Sequence, residues 1–169
     1  MPVKAALGTA GVSLGLIGAI LGVLTIAVGL RRQRPDLQRA GLHYVWLVLG
    51  GAVIAALAME WALLSHDFSL KYVAENHSRS TPLTYTIASL WAALEGSIIL
   101  WALVLAGYGA AVVRRFRRDR DDKLVAWAVL TLLAVSVFFF ALMLGPANPF
   151  RTLSVVPTDG PGPNPLLQN

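Results

Sequence analysis

Between Trp91 and Trp101 the chain reads Trp-Ala-Ala-Leu-Glu-Gly-Ser-Ile-Ile-Leu-Trp, which sets a carboxylate (Glu95), a glycine (Gly96) and a hydroxyl (Ser97) in an apolar run. A carboxylate at membrane depth costs about 2.5–3.5 kcal/mol on insertion scales, so Glu95 demands a partner, a water-filled cavity or a function. On an unbroken helix Trp91 and Glu95 share a face one turn apart, Ile98 and Ala102 continue it, and Ser97 and Trp101 share a neighbouring one. If that helix starts at Pro82, Glu95 lies roughly 12–18 Å below its outer end, too deep for easy snorkelling. Two readings stand level: Glu95 accepts hydrogen bonds from a packed helix, or it lines a cavity carrying ligand, protons or water. Gly96 permits close approach by a helix or a flat ligand. Ser97 is not a nucleophile with its base, because no histidine shares its membrane layer. A bis-histidine haem site inside the membrane is equally hard to build. His43 and His66 flank opposite ends of one apolar segment, about 35 Å apart at 1.5 Å per residue. Only His66 and His77 can meet, outside the membrane.

The segments that must position these groups are apolar blocks. The chain has 169 residues, 56% of them hydrophobic and 14% charged, with a mean hydropathy of +0.65. That composition belongs to an integral membrane protein. Residues 5–30 form a first transmembrane helix, longer than a hydrocarbon core requires and followed at once by Arg31, Arg32 and Arg34, unlike a signal peptide. Gly8, Gly11, Gly15, Gly18, Gly22 and Gly29 put a smooth packing stripe on it. A loop at 31–41 leads to a second helix at 42–65, whose Glu60 is near enough to the end to reach the headgroups. A polar external loop spans 66–81. The third helix is expected over 82–113, opened by Thr81 and Pro82. A basic loop at 114–123 precedes a fourth helix at 124–144. The tail, 145–169, holds six prolines and three glycines and sustains neither helix nor central strand. It ends on apolar residues and reads as a connection leading onward.

The formal charge is +5, yet it marks topology and not nucleic acid. The 31–41 loop carries four of the fourteen Lys and Arg residues and the 114–123 loop six. The positive-inside rule puts both loops in the cytoplasm and both termini outside. The basic run around Phe116 is too short a connection to serve as a stacking platform for single strands. No cysteine is present, so thiolate metal sites, disulfides and a cysteine nucleophile are excluded. No metal ligand set and no catalytic group is expected on this chain. The expected fold is all-α: four transmembrane helices within a larger helical membrane bundle.

Several blocks carry a family resemblance: Asp67-Phe68, Tyr72-Val73-Ala74, the Trp91–Trp101 run, Ala147-Asn148-Pro149-Phe150-Arg151-Thr152-Leu153, and Asn164-Pro165-Leu166-Leu167-Gln168. In order and spacing they resemble the amino-terminal part of CcmF, the membrane haem lyase of cytochrome c maturation. Trp91, Glu95, Gly96, Ser97 and Trp101 match the family's core motif, and Tyr72, Asn148, Pro149, Asn164 and Pro165 its loop positions. Two departures matter. The family usually reads Trp-Gly-x-His-Glu-Gly-Ser, where this chain has Ala92 for the glycine and Leu94 for the histidine. The family's Trp-rich haem-handling segment and its haem-associated histidines also lie beyond Asn169.

The resemblance implies haem as cofactor, with its ligands outside this chain. It implies as partners the remainder of the lyase, the haem chaperone CcmE, CcmH-type subunits and apocytochrome c, in a multi-pass protein of a bacterial cytoplasmic (inner) membrane. By this reading the chain is scaffold and haem-cavity wall, and does not attach haem alone. Two other functions fit the residues: a structural module docking maturation subunits through the glycine stripe and external loops, and a small proton or solute transporter subunit that uses Glu95.

Overall fold

The structure is a computed structural model that describes residues 2–118 and 121–162. Among them are six α-helices, α1 (Val3–Arg31), α2 (Pro35–Leu64), α3 (Lys71–Asn76), α4 (Leu83–Ala88), α5 (Leu94–Arg115) and α6 (Lys123–Leu144), and one 3₁₀ turn, Ser89–Trp91. Helices α1, α2, α5 and α6 are long and apolar enough to cross a membrane. The chain is a multi-pass membrane protein. Round the bundle the order is α1, α2, α5, α6, each packing on its two neighbours.

Local chemistry sets most of the ends. Pro35 occupies the first turn of α2, where its missing N–H is no loss and its φ is already helical. Helix α2 therefore starts seven residues before the expected 42–65 segment, and the 31–41 loop shrinks to the turn 32–34, with Gln33 at φ 54°. The Asp122 side chain caps α6 by accepting from the Leu124 N–H at 2.8 Å.

The stretch 82–113 is not the single helix that its composition suggests. It folds as α4, the 3₁₀ turn and α5, because Ala93 is extended at φ −134° and ψ 171°. Helix α5 begins only at Leu94, and its 22 residues still cover about 33 Å at 1.5 Å per residue.

Both short links put the amino-terminal end of α1, the loop 65–82 and the tail at one end of the bundle. At the other end lie the arginine-rich stretches 31–39 and 114–118. There Arg39 forms an exposed ion pair with Asp121, and Lys123 donates to the Gln33 side chain at 2.6 Å.

Without apolar collapse to drive them together inside lipid, helices associate through close packing, and the glycines of α1 supply it on two faces. Towards α2, Gly11 and Gly51 meet backbone to backbone: a Cβ on Gly11 would stand 2.8 Å from the Gly51 carbonyl oxygen, and one on Gly51 2.6 Å from the Gly15 nitrogen. Towards α6 and the tail, Gly15 receives the ring of Phe140, Gly22 receives Leu133 and Gly8 receives Phe150. The α1–α2 contact sets up a controlled comparison. Gly51→Ile forces the two backbones apart and should cost at least about 2 kcal/mol of stability, whereas Gly50→Ile, with open space at its Cβ position, should stay within about 0.5 kcal/mol. Reversible unfolding in mixed micelles measures both, and equal values would refute the backbone contact.

Candidate functional site

The motif residues gather at the end of the bundle opposite the arginines, around Tyr72. This tyrosine lies on the short α3 and is buried, and its hydroxyl donates to the carbonyls of Ser89 at 2.7 Å and Leu90 at 3.1 Å. Those carbonyls lie just before the break at Ala92-Ala93, where helical partners run out. Gly96 makes the approach possible, since a Cβ there would collide with both the Leu90 carbonyl oxygen and the Tyr72 hydroxyl. Ser97 works on the same break from inside α5: its hydroxyl donates back to the Trp91 carbonyl at 2.9 Å. Burial pushes the Tyr72 hydroxyl well above the usual phenol range, and the nearby Glu95 and Glu60 carboxylates add to that.

The break corrects the expected face. Trp91 and Glu95 are not one turn apart on a continuous helix, because extended Ala93 stands between them. Glu95 is in the first turn of α5, half-buried at the end of the span. Its negative charge faces the positive end of the helix dipole there, which favours it by about 0.3–1 kcal/mol. The depth argument for a carboxylate near mid-membrane therefore falls. Trp91 and Trp101 both point outward, 45% and 60% exposed, and Leu94 is 68% exposed.

Glu60, read from sequence as a headgroup-seeking side chain, is instead half-buried on α2. Among the described residues its Oε2 is enclosed without a hydrogen-bond partner. Position near a helix end suggested solvent; the loop folded over that end removes it. Packing of that kind leaves no mark in the local sequence.

The loop and the tail build a lid over the same end. Lys71 N–H donates to the Arg151 carbonyl at 2.8 Å and Leu153 N–H to the Ser69 carbonyl at 2.9 Å, pairing Leu70 with Thr152. Asn148 accepts from the Phe150 N–H at 2.9 Å, a turn that with Pro149 aims the buried Phe150 ring at Gly8. Asn164 and Pro165 lie outside the described residues. At the amino end Lys4 bridges Ser65 at 2.6 Å and Asp67 at 3.0 Å. Asp159 accepts from the Arg79 N–H at 2.9 Å and from Gly160 N–H, bonds that hold its carboxyl below the usual range.

His66 and His77 meet in this lid. Their Nδ1 and Nε2 are 2.7 Å apart and the rings are within 8° of parallel, with Phe68 alongside. His77 is fully buried, and its Nδ1 has no partner among the described residues. This pair does not fit haem. Two axial imidazoles on one iron need nitrogens about 4 Å apart, given metal–nitrogen bonds near 2 Å, with the macrocycle between them. His43, at the arginine end, has its Nδ1 2.9 Å from the Arg39 carbonyl. Among the described residues no three His, Asp or Glu side chains come together as a metal site.

No protein-family model matches the chain. Individual relatives do. The chain is 34% identical over 161 residues to the cytochrome c-type biogenesis protein CcmF of Escherichia coli K12, covering 92% of this chain and 25% of that protein. It is 38% identical over 158 residues to CcmF of Pseudomonas aeruginosa, covering 93% and 22%. Against a solved structure, the cytochrome c haem lyase CcmF, the TM-score is 0.80 at 38% identity, with 91% of this chain and 26% of that chain aligned. This is a CcmF-family chain. It spans about a quarter of the length of the CcmF proteins it matches. The CcmF family is one of cytochrome c biogenesis proteins, and cytochrome c maturation involves haem.

Two measurements follow from the lid. Tyr72→Phe strands the Leu90 carbonyl, leaves the Ser89 carbonyl only its bond from the Ala92 N–H, and should cost about 1–3 kcal/mol, with new protease cleavage near Ala92-Ala93; an unchanged digestion pattern would count against the latch. His77 titrates below its ordinary value of 6.5, because burial and the neighbouring His66 disfavour its charge more than Asp159 favours it. The unfolded chain then binds more protons below pH 6.5, so the lid is at full stability above that pH and loses it as the pH falls through the folded value. Amide protection factors across residues 66–81, each taken relative to the intrinsic exchange rate at the same pH, should fall between pH 7.5 and 5 in the native chain, and His77→Asn should remove that dependence.

Proposed function

We propose that the chain is the amino-terminal membrane portion of a CcmF-like haem lyase, a scaffold within the machine that handles haem and attaches it to apocytochrome c. The observation that carries this reading is the meeting of the resemblance blocks at one end of the bundle. Asp67-Phe68, Tyr72, the Gly96 turn and Asn148-Pro149-Phe150 are far apart in sequence, yet Tyr72 packs on Gly96, and Lys71 and Ser69 bond the segment after Phe150. Residues that hold one another in place serve a common structural purpose, and here it is a rigid lid over the end of four helices.

The chemistry this chain supplies is positional. The Tyr72 and Ser97 hydroxyls serve backbone carbonyls, Asp122 caps α6, and Asp67 and Asp159 hold the loop and tail, and the reading assigns no catalytic residue to the chain. Haem ligation falls to the remainder of the lyase, with CcmE as haem donor and CcmH-type subunits and apocytochrome c as partners, in a bacterial inner membrane with the arginine-rich end in the cytoplasm. The outward Trp91, Leu94 and Trp101 also fit a module that docks other maturation subunits. A proton or solute transporter loses its motivation, since Glu95 stands at the end of α5 and not at depth.

Cells that depend on this chain for cytochrome c maturation should lose haem-stained c-type cytochromes on its deletion while apocytochrome is still exported. The chain purified alone should show no Soret band. Undiminished holocytochrome after deletion would overturn the haem-lyase reading, and carboxylate-dependent proton flux in liposomes holding only this chain would restore the transporter.

A further inference from the structure

At the arginine-rich end, α1 and α6 diverge around a cleft of about 250 Å³. Its upper rim is Arg31 and Lys123, its side is Gln33, and its lower wall is Leu30, Trp127 and Leu130. The rim is built. Gln33, in a left-handed backbone conformation, donates from Nε2 to the Leu30 carbonyl at 2.8 Å and accepts from Lys123 at 2.6 Å, so one side-chain amide fixes the lysine against the end of α1. Lys123 keeps two further donors, and among the described residues the Arg31 guanidinium has no hydrogen-bond acceptor and neither cation has a carboxylate within 4.0 Å. The described acids nearby are otherwise engaged: Asp36 with Arg34, Asp121 with Arg39, and Asp122 on the Leu124 N–H. Asp121 is held below the usual carboxylate range by Arg39.

Below the rim the character changes within one helical turn or two. Trp127 and Leu130 lie about 6 and 10 Å along α6 from Lys123 at 1.5 Å per residue, and Trp127 is 56% exposed. Two cations with no carboxylate partner among the described residues, at headgroup level above an apolar wall with a tryptophan at the boundary, match one molecule class in polarity and length. We infer that this cleft holds an anionic phospholipid, its phosphate between Arg31 and Lys123 and the start of an acyl chain along Trp127 and Leu130. Zwitterionic lipids offer the same phosphate but carry their own cation into the rim, and so bind less well. The site is independent of whether the chain takes part in haem attachment.

Native mass spectrometry of the purified full chain, titrated with phosphatidylglycerol or phosphatidylcholine, reads the retained lipid directly. Arg31→Gln with Lys123→Gln should weaken phosphatidylglycerol retention by roughly tenfold or more. The pair Arg114→Gln with Arg115→Gln removes the same charge from the other basic patch and should change it less than twofold. Leu130→Trp keeps every charge, fills the lower wall and should also expel the lipid, which carries the test if the charge variant fails to fold. An equal loss in both charge pairs would mean a diffuse field and no site. Displacement of phosphatidylglycerol by millimolar inorganic phosphate would mean a simple anion site. Retention by Leu130→Trp would remove the acyl groove; any of the three overturns the proposal.

Discussion

The hydroxyl of Tyr72 donates to two backbone carbonyls at the edge of a membrane, that of Leu90, which would otherwise be stranded, and that of Ser89, which has besides it only the Ala92 N–H. A helix that stops and restarts inside a continuous apolar stretch leaves polar groups where water is scarce, and each such group costs on the order of 1–3 kcal/mol if unmet. The third membrane segment breaks at Ala92-Ala93 only because α3 delivers Tyr72, Gly96 lets it approach and Ser97 takes the Trp91 carbonyl. The lid depends on that arrangement in turn. With a continuous helix, residues 83–91 would project straight up from the bundle, and the loop and tail would have no shelf on which to pair.

Much of the fold was legible because hydrocarbon thickness is a hard ruler. Charge-free runs of twenty residues or more have one stable form in lipid, and the arginines mark where they end; Pro35 and the Asp122 cap set the starts of α2 and α6 by chemistry that acts within a turn, and the extra turns of α2 from Pro35 lay outside the expected segment. The glycine stripe of α1 likewise announced a packing face. That it serves two faces, one for the α2 backbone and one for Phe140, Leu133 and Phe150, is a matter of which neighbours arrive, and a single helix cannot show that.

The candidate site was half legible. Glu95, Gly96 and Ser97 stood out by type, and each does act at the break or beside it. Their geometry was misjudged, because Ala92 and Ala93 are strong helix formers and nothing local argues for a break between them. Its cause is a side chain some twenty residues earlier in sequence. The meeting of His66 and His77 could be anticipated since the other histidine is a membrane thickness away. The burial of His77 under Asp159 and Gly160 could not, because a Pro/Gly-rich tail gives no hint of what it will cover.

The notches on α1 have a mechanical meaning. Gly8, Gly15 and Gly22 are seven residues apart and receive Phe150, Phe140 and Leu133, while Gly11 and Gly18 are keyed to α2 on another side. A shaft cut with teeth on two sides can neither rotate nor climb by a turn without lifting every tooth at once. Small sliding motions, the ordinary way packed helices yield, are therefore closed to this pair. If the protein that contains this bundle changes shape as it works, α1 and α2 move as one rigid post, and the hinge has to lie elsewhere.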